Sequence, residues 1–297
     1  MKMRQTKEEP LLPVQVGSVP WREVALFTLL AYGLTWAWHG IWIAPRLGSL
    51  LSAPETPASP IAVYGNYLNF LPGMFGPMLA AVAMRLLVSR EGLRDSLKLW
   101  QRPSSYAIAL LAPAPFLAFV AAALVQGGLA AYSSPNQSLN SVIPPSVIFL
   151  IGPEIILALG EEFGWRGYLL PRLMPLGEVR ATLTLGSIWA LWHLPVILAG
   201  VILGGNGLKG VIALHFISVV LASFPYTWLA KSTGYSPAAA AVFHGSVNWS
   251  QQRLLGFLAI GNVLAVLAVI NLIWIFVIAA VYGMRWLRSR SAASHTQ

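Results

Sequence analysis

The stretch Leu159-Gly160-Glu161-Glu162-Phe163-Gly164-Trp165-Arg166-Gly167 is a charged island in an otherwise apolar sequence. The whole chain of 297 residues holds ten acidic side chains, and two of them stand side by side here. They close an apolar run, 146–159, that reads as a membrane-spanning helix. A carboxylate at bilayer depth costs several kcal/mol, so it is retained where it faces a bundle interior and serves a purpose. On a helix Glu162 and Arg166 lie four residues apart and can pair on one face. Glu161 points about 100° away, which leaves it available for a different task.

Composition fixes the class around this island. Hydrophobic residues make up 57% of the chain and charged residues 10%, against about 25% charged in a soluble domain. The fold expected is all-α, a polytopic membrane helix bundle with the site inside it. The chain has no cysteine, which excludes disulfides, thiolate metal sites and a cysteine nucleophile. Its net charge of +9 raises nucleic acid as a partner, but the cationic residues cluster in the loops that orient membrane helices. The bilayer is the expected partner, and no nucleic acid.

Apolar spans of about 20 residues fit at roughly 22–44, 61–88, 105–131, 145–164, 181–203, 208–230, 236–252 and 260–285, eight in all. The domain plan is therefore a disordered N-terminal tail over 1–20, a transmembrane domain over 21–287 and a C-terminal tail over 288–297. Pro72-Gly73 and Gly76-Pro77 break the second span, and Gly152-Pro153 predicts a kink in the fourth. The seventh span is short and rich in Ala, Ser and Gly, which suits close helix packing. With eight spans, sixteen Lys and Arg residues fall on one side and three (Arg46, Lys209, Arg253) on the other. Positive charge marks the cytoplasmic face, so both termini are expected there.

Two further polar clusters lie at comparable depth. His193 sits in Trp189-Ala-Leu-Trp-His-Leu-Pro, and His244 is followed by Asn248 one helical turn later, on the same face. Glu161 would lie about 7 Å from the helix end at Arg166, and His193 about 16 Å into its span. Each residue has a bland alternative. Glu161 and Glu162 could cap an interfacial helix end against Arg166 and Arg172, His193 could be an interhelical donor, and Asn248 could be polar glue between helices. Trp189 reads as cavity wall. His39 and His215 have no polar partner at helical spacing and read as structural, and Glu154 is either a cavity acid or a partner for backbone freed by Pro153.

Together these residues form a set suited to hydrolysis of a peptide bond, which needs a base for water, donors for the oxyanion and an acid for the leaving amine. Glu161 can be the base with His193 assisting, while His244 and Asn248 can donate to the oxyanion. The one aspartate, Asp95, lies in a basic loop, so no Ser-His-Asp set competes. A proton relay through Glu154, Glu161 and His193 in a coupled transporter, or a silent membrane scaffold, are the readings from other classes.

The motifs Glu161-Glu162-x-x-x-Arg166, Trp189-x-x-x-His193 and His244-x-x-x-Asn248, in that order, resemble those of the CAAX protease and bacteriocin-processing (CPBP, or Abi) family of intramembrane proteases. The resemblance covers about 145–252. It implies an endopeptidase acting on membrane-associated proteins or peptides, with substrates that range from CAAX tails to leader peptides. By the same resemblance Glu161 and His193 activate water, His244 and Asn248 form the oxyanion site, and Glu162 and Arg166 support them. Trp189 stands where eukaryotic members often carry Phe, which bears on pocket shape rather than on catalysis. Two histidines and a glutamate can bind zinc, and such a site would use Glu161, His193 and His244. No His-Glu-x-x-His is present, Asn248 is a poor zinc ligand, and the family resemblance implies a glutamate-dependent mechanism, so no cofactor is expected.

The charge asymmetry yields a topology test. A cysteine placed at Lys98 should react with an impermeant thiol reagent only after intact cells are opened, and labelling from outside would overturn the orientation.

Overall fold

The computed structural model describes residues 17–46, 69, 71–93, 151–195, 197–198, 208–255 and 260–294. All regular structure among them is helical. The expected third span, most of the N-terminal tail and the distal part of the basic loop lie outside the described residues. Seven main helices are α1 (Trp21–Trp38), α2 (Gly76–Ala83), α3 (Ile151–Gly164), α4 (Glu178–Trp192), α5 (Leu208–Ser232), α6 (Pro237–Leu255) and α7 (Ile260–Ser294). Three segments among the described residues are long and apolar enough to cross a membrane: Trp21–Arg46, Gly210–Ser232 and Leu264–Met284. Helix α7 runs on beyond residue 288, into the stretch expected to be a polar tail.

Helix α3 occupies the middle of the arrangement, packed against α6 on one side and α2 on the other. Helices α4, α5 and α7 pack in sequence, and α1 lies against α2. The second expected span is broken as its Pro-Gly pairs suggest, into a turn at Leu71–Met74, a break at Phe75 and then α2. Glycines allow the central helices to approach closely. A Cβ on Gly164 would stand 2.6 Å from the Pro77 carbonyl oxygen of α2, and one on Gly245 would stand 2.6 Å from the Ile155 nitrogen of α3. Gly160 and Gly164 are thus one small-x-x-x-small face of α3, turned toward α2, which leaves another face to meet α6.

The helical path that α3 begins does not end at Arg166. The backbone widens into a π-type turn over Trp165–Leu169, then returns to an α-turn over Leu170–Leu173. The interfacial helix end inferred from sequence is therefore corrected: Arg166 lies inside the protein and is wholly buried. It accordingly drops out of the loop charges, and the asymmetry survives without it. The polar cap lies further on. Arg85 donates to the Gly167 carbonyl at 2.9 Å and to Glu91 at 2.6 Å, and Arg172 pairs with Glu23 and with Glu91, each at 2.7 Å. These contacts tie the start of α1 and the end of the α2 segment to the wide turn. At Gly177 φ is +84°, a left-handed conformation suited to glycine, and the chain reverses there into α4.

Gly164→Ala should lower thermal stability by about 1–3 kcal/mol, because backbone atoms of Pro77 block the new methyl group. Gly283→Ala, with open space around its Cβ, should be neutral or stabilising by up to ~1 kcal/mol. Equal melting shifts for the two variants would contradict the close α2–α3 packing.

Candidate active site

The first motif is organised by a buried charge pair. Arg166 Nη1 donates to Glu162 Oε1 at 2.9 Å, and neither side chain is exposed. The Arg166 guanidinium lies over the rings of Trp189 from α4, at 4.2 Å, and Tyr226 from α5, at 4.5 Å. Their π-faces attract a cation that water cannot reach. His244 of α6 donates from Nδ1 to the same Glu162 oxygen at 2.8 Å. Its ring is walled by Trp189 and Tyr226, at centroid distances of 5.3 and 5.4 Å. One carboxylate oxygen therefore joins α3 to α6, and one guanidinium joins α3 to α4 and α5. Arg172, which sequence offered as a second partner of the glutamates, pairs with Glu23 and Glu91 instead.

Glu161 turns to a different partner. Its Oε2 accepts the Trp189 indole N–H at 2.8 Å, and the side chain is buried. Trp189, expected from sequence as cavity wall, is a buried hydrogen-bond donor. The signal for it was its position four residues before His193. Tyr226 had no such signal. Glu154 is buried too, where α3 crosses α6 beside Gly245.

His193 is placed by the end of α4. The helix stops at Trp192 with His193 as its C-cap, since Pro195 has no N–H to give the Leu191 carbonyl. Helical backbone resumes at Leu194–Pro195, so His193 marks a break in the helical path. The last carbonyls of a helix lack intrahelical donors, and here side chains supply them. Tyr32 donates to the Ile188 carbonyl, and Trp36 to that of Trp192 at 3.0 Å. His193 Nδ1 donates to the Trp189 carbonyl at 2.9 Å. A carbonyl can only accept, so this bond fixes the proton on Nδ1 and leaves Nε2 as a lone pair. His193 is half-buried, unlike Glu161, Glu162, Arg166 and His244. Asn248 is also half-buried, one turn beyond His244 on α6.

His215, read from sequence as structural, is buried with its ring centroid 5.2 Å from that of His193. A histidine on α5 carries no local sign that its helix will face the end of α4. As for metal, no three His, Asp or Glu side chains among the described residues are grouped so as to hold an ion. Glu161, His193 and His244 are each engaged by Trp189 or Glu162, and this donor set does not form a ligand cluster.

Comparison with known proteins agrees with the motif reading. Residues 143–250 match the family model described as type II CAAX prenyl endopeptidase Rce1-like. Over 206 residues the chain is 25% identical to CAAX prenyl protease 2 of Methanococcus maripaludis, covering 63% of this chain and 72% of that relative. Both matches support the resemblance to the CAAX protease and bacteriocin-processing family.

Removing one member of a buried pair strands the other charge, at about 3–5 kcal/mol. Arg166→Gln and Glu162→Gln should each lower thermal stability by that order, and the double variant by clearly less than the two together. Additive losses in melting experiments would show that the pair is not coupled.

Proposed function

We propose, taking the chain as a member of the CAAX protease and bacteriocin-processing family, that it is an intramembrane endopeptidase whose nucleophile is a water activated by Glu161 and His193. The observation that carries this reading is their common attachment to Trp189. Its indole N–H holds the Glu161 carboxylate and its backbone carbonyl holds His193 Nδ1. A base pair fixed on one rigid helical turn has little reorganisation left to make during reaction.

In the proposed reaction the water oxygen attacks the scissile carbonyl carbon while its proton passes to Glu161 or to His193 Nε2. The carbonyl π electrons move to oxygen, and His244 and Asn248 donate to the resulting oxyanion. His244 already gives its Nδ1 proton to Glu162, so only the imidazolium form has a second N–H, on Nε2, for the oxyanion. The Glu162 carboxylate balances that charge. Collapse of the intermediate breaks the C–N bond, and the proton held by the base goes to the leaving amine. Glu162 therefore orients an oxyanion donor in addition to pairing with Arg166.

The relative's name points to CAAX-type peptides as a first substrate class, and membrane-associated leader peptides are the second. Both termini face the cytoplasm in this reading, and the site opens to the cytoplasmic half of the membrane. No metal takes part.

The test is cleavage of a farnesylated CAAX peptide and a membrane-anchored leader peptide by protein reconstituted in vesicles, with fragments identified by mass. Glu161→Gln should stay folded and lose about 10²–10⁴-fold in rate. Wild-type activity should survive exhaustive chelation. An active Glu161→Gln would remove the glutamate from the chemistry, and loss on chelation with recovery on zinc would overturn the metal-free reading.

A further inference from the structure

Pro171 lies four residues beyond Gly167 and has no N–H to give the Gly167 carbonyl. In an α-helix its ring would also crowd that carbonyl, and the backbone widens just before it, over Trp165–Leu169. Arg85 supplies the donor instead: its Nη2 meets the Gly167 carbonyl at 2.9 Å in a buried contact. Arg172 Nη1 takes the next carbonyl, that of Tyr168, at 3.1 Å. One carboxylate steadies both guanidiniums, since Glu91 Oε2 accepts from Arg85 at 2.6 Å and Glu91 Oε1 from Arg172 at 2.7 Å. The chain turns back to bring Glu91 there at Arg90, which adopts a left-handed conformation with φ +54°. The Glu91 N–H then bonds the Arg85 carbonyl at 2.9 Å. A non-glycine residue in that region is strained and persists where its surroundings require it.

The held carbonyl stands at a junction of the site. Gly167 directly follows Arg166, whose guanidinium pairs with Glu162. Pro237, the first residue of α6, packs so closely on Gly167 that a Cβ there would stand 2.9 Å from the proline Cγ. His244, two turns further along α6, gives the second bond to the same Glu162 oxygen. The place of Gly167 therefore bears on both partners of Glu162 at once. Building on the proposed protease reading, we infer that Arg85 is a positioning residue for catalysis: by holding the Gly167 carbonyl it sets the turn from which Arg166 and His244 both reach Glu162. It acts through the backbone rather than on substrate, and it lies outside residues 143–250 that match the family model. Movement of a freed turn would draw Arg166 and the start of α6 off their common oxygen, and with them the oxyanion donor that Glu162 orients. A misplacement of about 1 Å at a reacting group costs on the order of a hundredfold in rate.

The bland role for Arg85 is a cap that holds the fold and leaves each folded molecule fully active. Arg85→Met removes the donor and keeps apolar bulk, whereas Arg85→Lys keeps a charged donor for the Gly167 carbonyl and for Glu91. Lys231→Met is the control, because it breaks another ion pair, with Glu178 at the start of α4, away from the turn. With the farnesylated peptide as probe and rates taken per folded molecule, Arg85→Met should lose about ten- to a hundredfold in kcat at nearly unchanged KM. Arg85→Lys should recover most of that loss, and Lys231→Met should lose stability without losing kcat. Should Arg85→Met fail to fold, Glu91→Gln carries the test. One of its oxygens becomes an N–H group facing a guanidinium, which loosens Arg85 in place, and kcat should fall about three- to tenfold. A second readout needs no cleavage. Glu162 accepts the His244 Nδ1–H, and the nitrogen-15 signal of that nitrogen in detergent should move in Arg85→Met and return in Arg85→Lys. Full kcat in a folded Arg85→Met, a loss that Lys231→Met matches at equal melting temperature, or a His244 signal that stays in place would overturn the inference. A wild type that cleaves neither peptide, with a His244 signal that still moves in Arg85→Met, would instead count against the protease reading and leave Arg85 as the support of Glu162.

Discussion

The structure depends on the burial of the Arg166–Glu162 ion pair in the interior of an apolar bundle. Withdrawing two such charges from water costs several kcal/mol per ion, and their mutual attraction offsets this only with good geometry and added hydrogen bonds. Here the offset comes from three other helices. Trp189 and Tyr226 each bring a ring to the guanidinium, and His244 adds a second bond to the Glu162 oxygen. The charge pair can be buried only when α4, α5 and α6 have all come up to α3. Assembly of the bundle and assembly of the site are thereby one event.

Termination of α4 works in the same direction. A helix that ends inside a protein leaves carbonyls that must find donors. Those of α4 find Trp36 on α1 and His193 at its own cap, and Tyr32 on α1 adds a bond to the Ile188 carbonyl. Local satisfaction of a backbone carbonyl thereby orients the His193 ring. Trp189 links the two systems, since its ring meets Arg166 and Glu161 while its carbonyl meets His193.

Close approach of the helices makes these short contacts possible. Gly164 lets α2 touch α3, Gly245 lets α6 touch it elsewhere, and Gly186 admits Ser223 of α5 to α4. In a membrane, where lipid is as apolar as the side chains, such small-residue packing replaces much of the hydrophobic drive of soluble folds. The wide turn at Trp165–Leu169 is held at its outer end by Arg85 on the Gly167 carbonyl, with Pro237 at the start of α6 against Gly167 itself.

The amino-acid sequence alone determined the membrane class, the helical character and the charged island at 161–166. Hydropathy fixes the first two, and the rarity of acids in an apolar chain fixes the third. The i,i+4 spacings also made the Glu162–Arg166 pair legible, because neighbours on one helix face are set by local geometry. Only the tertiary structure decided that α3 continues past Arg166 and buries it, that Trp189 binds Glu161, that Glu162 reaches His244, and that His215 stands beside His193. Each of these depends on how one helix is rotated and shifted against another. That choice is made by packing between residues far apart in the chain, and no local period records it.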